Sequence, residues 1–311
     1  MVTKTEFTFL SRNGKDQCHA ISWAPENTDI RGVFQIIHGM QEYTDRYDAF
    51  ATFLAEQGFL VVGADHLGHG KTAATEKDLG YFGDGDIPTI LVRDAHRLKK
   101  IIQEQNPGKP YFIMGHSMGS FVLRKYLAMY KKGIDGAIIL STGMMPAFIT
   151  RTGIIMCNFL KIFQGDRHRS RIMDFISFGS YLKRIPDATT ASDWLSDNKD
   201  AVRAYREDPF CMYMFTLNGF RNLYKLVNFT GKSKNFTKVS KDLPILVIAG
   251  TEDPVGHYGK DPVKVYELFT KLGIKDVQLK LYDGMRHELL SSLNSKDVYD
   301  FLLKWITDHM R

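Results

Sequence analysis

Cysteine is scarce in this chain, with three in 311 residues. Three thiols cannot form a disulfide scaffold, and a chain of this length builds a core without one. Low cysteine usage fits a reducing compartment, so a cytoplasmic location is expected. Long apolar runs are also lacking. None approaches the roughly 20 residues that span a bilayer, which argues against a transmembrane helix. The first residues, MVTKTEFTFLSRNGKDQ, carry no apolar h-region and no small-residue cleavage site, so no standard secretory signal is expected. No dense Lys/Arg run and no nucleic-acid-binding motif is present, so no nucleic-acid partner is expected. Gly/Ser/Pro-rich linkers, repeats and low-complexity stretches are missing too, which argues against tandem domains.

What is present is ordinary globular composition: 44% hydrophobic and 24% charged residues. The net charge of +6 is unevenly spread. Residues 144–240 hold 15 Lys/Arg and 8 Asp/Glu, while the rest holds 26 and 27. One internal block therefore carries all the excess positive charge, which points to two regions with different jobs.

The first 140 residues alternate strand-like and helix-like stretches. Residues 7–10 and 20–23 read as antiparallel strands joined by the Asn13-Gly14 turn. Residues 32–38, 59–64, 111–114 and 137–140 are short apolar runs, the mark of strands buried on both faces. Helical patterns at 46–57, 87–105 and 118–130 separate them. This rhythm predicts an α/β fold with a parallel sheet. It stops near Met144, and up to Ser240 the chain is aromatic, Met-rich and basic. That block reads as a helical insertion, with 191–193 as a helix N-cap. Strand patterns return at 244–249 and 277–282, with helices at 262–272 and 295–309. Residues 1–143 and 241–311 are thus expected to form one core domain, and 144–240 a lid.

The strongest motif is Gly115-His116-Ser117-Met118-Gly119, a G-x-S-x-G between a buried strand and a helix. A serine hydroxyl is a weak nucleophile and must stand at a tight turn where a base reaches it. Flanking glycines remove side chains that would clash, and the helix N-terminus favours developing negative charge. Ser117 is the predicted nucleophile. His287, in the loop after the last strand, is the predicted base, and Asp253, just past the preceding strand, its orienting carboxylate. Glu252 and His257 are the local competitors. Backbone N–H groups of Met40 and Met118 are the predicted oxyanion donors.

These segments resemble the α/β-hydrolase superfamily, within it the monoacylglycerol lipase and lysophospholipase (serine aminopeptidase-like) group. The resemblance rests on His38-Gly39-Met40-Gln41-Glu42-Tyr43 with Arg46-Tyr47, Asp65-His66-Leu67-Gly68-His69-Gly70, Gly115 to Gly119, Gly250-Thr251-Glu252-Asp253-Pro254-Val255 and Arg286-His287-Glu288. It covers the chain apart from the insertion. It implies a mostly parallel central sheet flanked by helices, a helical lid between strands 6 and 7, and a triad in the order Ser117, Asp253, His287. Met40 and Met118 match the oxyanion positions. Ser120 departs from a common glycine.

Asp65, His66 and His69 could be read as metal ligands. A structured loop at the site rim fits them better, and neither a metal nor a cofactor is expected. Cys18, Cys157 and Cys211 are read as buried or partly buried thiols, with oxidant sensing by Cys157 or Cys211 a minor reading. In the insertion, Phe148, Ile155, Phe159 and Met214 are expected to line an acyl pocket. Arg167, Arg169, Arg171, Lys183, Arg184, Lys232, Lys234 and Lys238 are candidates for contact with an anionic membrane. The expected activity is serine ester hydrolysis through an acyl-enzyme, on a monoacylglycerol or lysophospholipid. The rivals are an aminopeptidase-like peptidase and a small-ester carboxylesterase on the same fold. Nothing in the sequence decides oligomeric state.

Overall fold

The computed structural model describes residues 1–26 and 29–310. Eight strands form one sheet in the order β1-β2-β4-β3-β5-β6-β7-β8. β1 (Val2–Leu10) and β2 (Gln17–Pro25) form the expected hairpin, at nine residues each. Its turn is shaped by Gly14 at φ 77° and by Asn13 Oδ1, which accepts the Lys15 and Asp16 amides. β2 runs antiparallel to β4 (Phe59–Ala64). From β4 onward the sheet is parallel, through β3 (Gly32–Ile37), β5 (Tyr111–His116), β6 (Gly136–Leu140), β7 (Ile245–Gly250) and β8 (Val277–Tyr282).

The central strands are apolar on both alternations because both sheet faces are covered. Val33, Ile113, Ile139 and Val247 pack on one face, with α2 (Ile87–Gln105), α3 (Met118–Met129) and α8 (Lys260–Lys271). Phe34, Phe112, Ile138 and Leu246 pack on the other, with α1 (Asp48–Glu56) and α9 (Ser295–Asp308). The period of two along each strand divides the side chains between two cores.

Between β6 and β7 lie α4 (Ala147–Gln164), α5 (Arg171–Phe178), α6 (Lys199–Glu207) and α7 (Leu217–Thr230). The expected helix start at 191–193 is not there. Residues 191–194 form a turn in which Asp193 Oδ2 accepts the Thr189 amide at 2.6 Å, and the next helix starts at Lys199 behind Asn198. Among the described residues no helix is long and apolar enough to cross a membrane.

Candidate active site

Parallel strands end on one edge of the sheet, and the predicted residues sit in the loops there. Ser117 follows β5 directly, at φ 52° and ψ −119°. The turn is tight enough that a Cβ on Gly119 would collide with the Ile37 and His38 carbonyl oxygens, and one on Gly115 with the Gly119 carbonyl. The motif's glycines are thus required by close backbone approach. Met118 opens α3, where first-turn amides have no intrahelical acceptor. Ser120 Oγ lies 2.6 Å from the Ser117 carbonyl and 2.7 Å from Thr142 Oγ1, so the hydroxyl that replaces the usual glycine fastens the turn.

His287 and Asp253 come together: Nδ1 stands 2.9 Å from Asp253 Oδ1, and both are buried. The Ser141 hydroxyl donates to the His287 carbonyl at 2.6 Å. The competitors are placed elsewhere. Glu252 pairs with Arg184 at 3.6 Å, and His257 with Asp261 at 2.5 Å.

Ser117, His287, Met40 and Met118 line one cavity, part of it open to solvent. Its other wall is apolar and comes from Met145, Phe178, Leu223 and Val227. None of the four expected acyl-pocket residues is in that wall. Phe148, Ile155 and Phe159 are 70%, 67% and 59% exposed. Met214 is partly buried against the core, and it too lies outside the cavity lining. α4 is apolar almost all round, so its sequence does not mark its inner face. Thr150, Gly153 and Cys157 face inward, and the Tyr224 ring fills the space that a Cβ on Gly153 would need.

Two basic residues of the insertion bond to the segment at 78–79. Arg167 pairs with Asp78 at 2.7 Å, and Arg169 donates to the Leu79 carbonyl at 2.8 Å. Cys157 and Cys211 are buried; burial pushes the Cys157 thiol up to about 12 and Cys211 higher, which is unfavourable for oxidant sensing. Asp65 accepts the Thr44 and Lys71 amides at 2.8 and 2.9 Å, and His66 Nε2 stands 3.1 Å from the His38 carbonyl. The Asp65–His69 segment is thus bonded as a rim loop. Burial lowers His66 to about 4 and His69 to about 3, so both rings are neutral.

A buried ionic cluster in the cavity wall has no counterpart in the sequence reading. Glu42 Oε1 accepts the Gly39 amide and the Tyr47 hydroxyl and stands 2.8 Å from His116 Nδ1. Arg46 donates to both Glu288 oxygens at 2.8 and 3.0 Å and to Glu42 at 3.3 Å. Burial opposes every charge here, but the pairing outweighs it. Glu42 falls to about 2, Glu288 falls, and His116 rises. The motif Glu42…Arg46-Tyr47 carried the family resemblance, but pairing across 74 and 242 residues has no local signature.

The fold and this constellation define an α/β-hydrolase. Residues 28–294 match the serine aminopeptidase S33 family, and the chain belongs to it. It is 28% identical to a monoacylglycerol lipase of Mycolicibacterium smegmatis, over 99% of both chains. It is 24% identical to the human monoglyceride lipase, over 92% of this chain and 85% of that one. A solved carboxyl esterase of Bacillus coagulans in complex with glycerol superimposes with a TM-score of 0.91 at 31% identity, covering 99% of both chains. The chain is a serine ester hydrolase.

Proposed function

We propose that the chain hydrolyses the ester of a single-acyl lipid, a monoacylglycerol or a lysophospholipid, with residues 144–240 as the lid. The observation that carries this reading is the cavity. It joins Ser117 and His287 to an apolar wall of the kind that lies along an acyl chain. Relatives named as monoacylglycerol lipases support it.

In this reading His287 Nε2 takes the Ser117 proton as Oγ attacks the ester carbonyl. The Met40 and Met118 amides hold the oxyanion. Asp253, at 2.9 Å from Nδ1, fixes the tautomer and supports the imidazolium. The alcohol leaves with the proton from His287. Water then attacks the acyl-enzyme, with the same histidine as base, and the acid is released.

A peptidase would need a free carboxylate for the substrate ammonium. The cavity's Glu42 and Glu288 are already committed to His116 and Arg46, which disfavours it. The exposed apolar side chains of α4 and α5, among them Phe159, Phe163 and Phe175, suit contact with a lipid surface.

The test is a matched panel: short and long acyl esters, a monoacylglycerol, a lysophosphatidylcholine and an aminoacyl anilide, with Ser117→Ala as blank. Preference for a single-acyl lipid, lost in the blank, is expected. Cleavage of the anilide alone would overturn the reading, and preference for short esters would make the chain a carboxylesterase.

A further inference from the structure

Residues 193–197 belong to the insertion, yet they are bonded to the loop that carries His287. Arg286 Nη1 donates to the Asp193 and Ser196 carbonyls at 2.8 and 3.1 Å. The Glu288 amide donates to the Leu195 carbonyl at 2.6 Å. Further along, Ser292 Oγ and the Leu293 amide donate to the two Asp197 carboxylate oxygens at 3.0 and 3.2 Å. The residues on either side of His287 therefore both grip this strap.

Trp194 sits between the two gripped positions Asp193 and Leu195. Its ring centroid lies 5.1 Å from that of His287, and the Tyr181 ring meets it edge-on at 4.9 Å. It lines the same cavity as Ser117. A wall that only excluded water from an acyl chain would not need its backbone fastened to the base loop. The exposed apolar face of α4 has no such fastening. The insertion thus has two mechanical parts: outer helices with unpartnered apolar faces, and a strap that moves with His287.

We propose that Trp194 is a positioning residue for His287. It confines the imidazole to the orientation that reaches Ser117, and it presents an aromatic face to the imidazolium formed when the serine loses its proton. Because the strap is fixed to the His287 loop, this contact survives any displacement of α4 and α5 that admits substrate. The proposal rests on the Ser117–His287 reading of the site.

The experiment measures two quantities in wild type, Trp194→Ala, Trp194→Phe and Arg286→Met. One is kcat and KM on p-nitrophenyl acetate, which is too short to need the acyl wall. The other is the rate of Ser117 labelling by a small alkyl fluorophosphonate. In that reaction the serine oxygen–phosphorus bond forms, fluoride departs and His287 takes the proton, so the rate reads base alignment whatever the natural substrate. Trp194→Ala is expected to slow labelling and kcat by about tenfold with KM within about twofold. Trp194→Phe is expected to restore both to within about threefold of wild type, because a ring remains. Arg286→Met, which loosens the strap outside the cavity, is expected to slow labelling by about threefold or more. If the Ala variant fails to fold, the Phe and Arg286 variants carry the test through the same labelling rate. Unchanged labelling in Trp194→Ala, a change in KM alone, or a Phe variant as slow as the Ala variant would overturn the proposal. No labelling of Ser117 in wild type would sink the site reading itself, a result distinct from any effect of Trp194.

Discussion

Ser117 has a positive φ that L-residues rarely adopt, and the backbone around it leaves no room for error. A Cβ on Gly119 would meet two carbonyl oxygens of the neighbouring loop, neither the end of a flexible side chain. Gly119→Ala is therefore expected to cost about 3 kcal/mol of stability and more than about a hundredfold in kcat/KM, read by thermal unfolding and ester hydrolysis. Ser120→Ala, which removes the hydroxyl's contacts with the Ser117 carbonyl and Thr142 Oγ1 but creates no clash, should cost only about 1–2 kcal/mol. Glu42 gives a prediction in pH. Its folded pKa, about 2, lies below its ordinary 4.5, so its ionised form stabilises the fold above pH 4.5. That contribution is lost as pH falls from 4.5 toward 2. The raised pKa of His116 acts at the other end: its charge stabilises the fold below pH 6.5 and is lost as pH rises through the raised value. Glu42→Gln is expected to destabilise the protein at pH 6 by about 3 kcal/mol, because His116 and Arg46 lose a buried partner. The deficit should shrink below pH 3. Denaturant unfolding of both proteins across pH 2–8 measures it, and a pH-independent difference would exclude the ionic account.

Elements differ in how far their sequences disclose them. β3, β5, β6 and β7 are short apolar runs because both faces are buried, and that pattern is local. The turn at Ser117 is equally local, since β5, the two glycines and α3 all lie within residues 111–129. α4 is the opposite case. Its residues are apolar on the outer face as well, so periodicity cannot distinguish the side facing the cavity from the side facing solvent. Apolarity alone therefore points Phe148, Ile155 and Phe159 inward, whereas the inner face is recognisable only from Tyr224 packing against Gly153, 71 positions away. Trp194 gave no signal either, because its role depends on Arg286 and Glu288 closing a loop about 90 residues long. The outer face of α4 carries its own prediction. Phe159 and Phe163 touch each other at 5.3 Å between ring centroids and are largely exposed, so changing both to Glu should leave the fold intact. Each ring entering a lipid surface contributes about 1.5–3 kcal/mol. The double variant is expected to lose at least about tenfold in binding to neutral vesicles while hydrolysing soluble p-nitrophenyl butyrate at the wild-type rate. Equal vesicle binding by the two proteins would remove the lipid-surface role.

At the scale of the whole molecule, the question is how an insertion stays registered on a sheet it interrupts. β6 and β7 are hydrogen-bonded neighbours, with Ala137 beside Ile245, so the chain leaves and re-enters the sheet at adjacent positions. Arg124 of α3 spans the two ends of the excursion. Its fully buried guanidinium donates to the Gly143 carbonyl at 2.9 Å, where the insertion begins, and to the Thr230 carbonyl at 2.8 Å, where α7 ends. Asp261 of α8 secures the same start by accepting the Met144 amide at 2.9 Å. The helix that follows Ser117 thus fastens both stems of the insertion. Arg124→Met would preserve volume but leave two buried carbonyls without their donor, at a cost of about 3 kcal/mol. For a protein of this size that lowers Tm by about 5 °C. The loss is expected to show first at the stems, as faster proteolytic cutting near residues 142–146 and 231–240 below the unfolding temperature. Arg124→Lys should recover only part of the stability, since one ammonium cannot reproduce the guanidinium's paired donors. If Arg124→Met melts at the wild-type temperature and its stems resist protease equally, the insertion is registered by its apolar packing alone, and the arginine is dispensable.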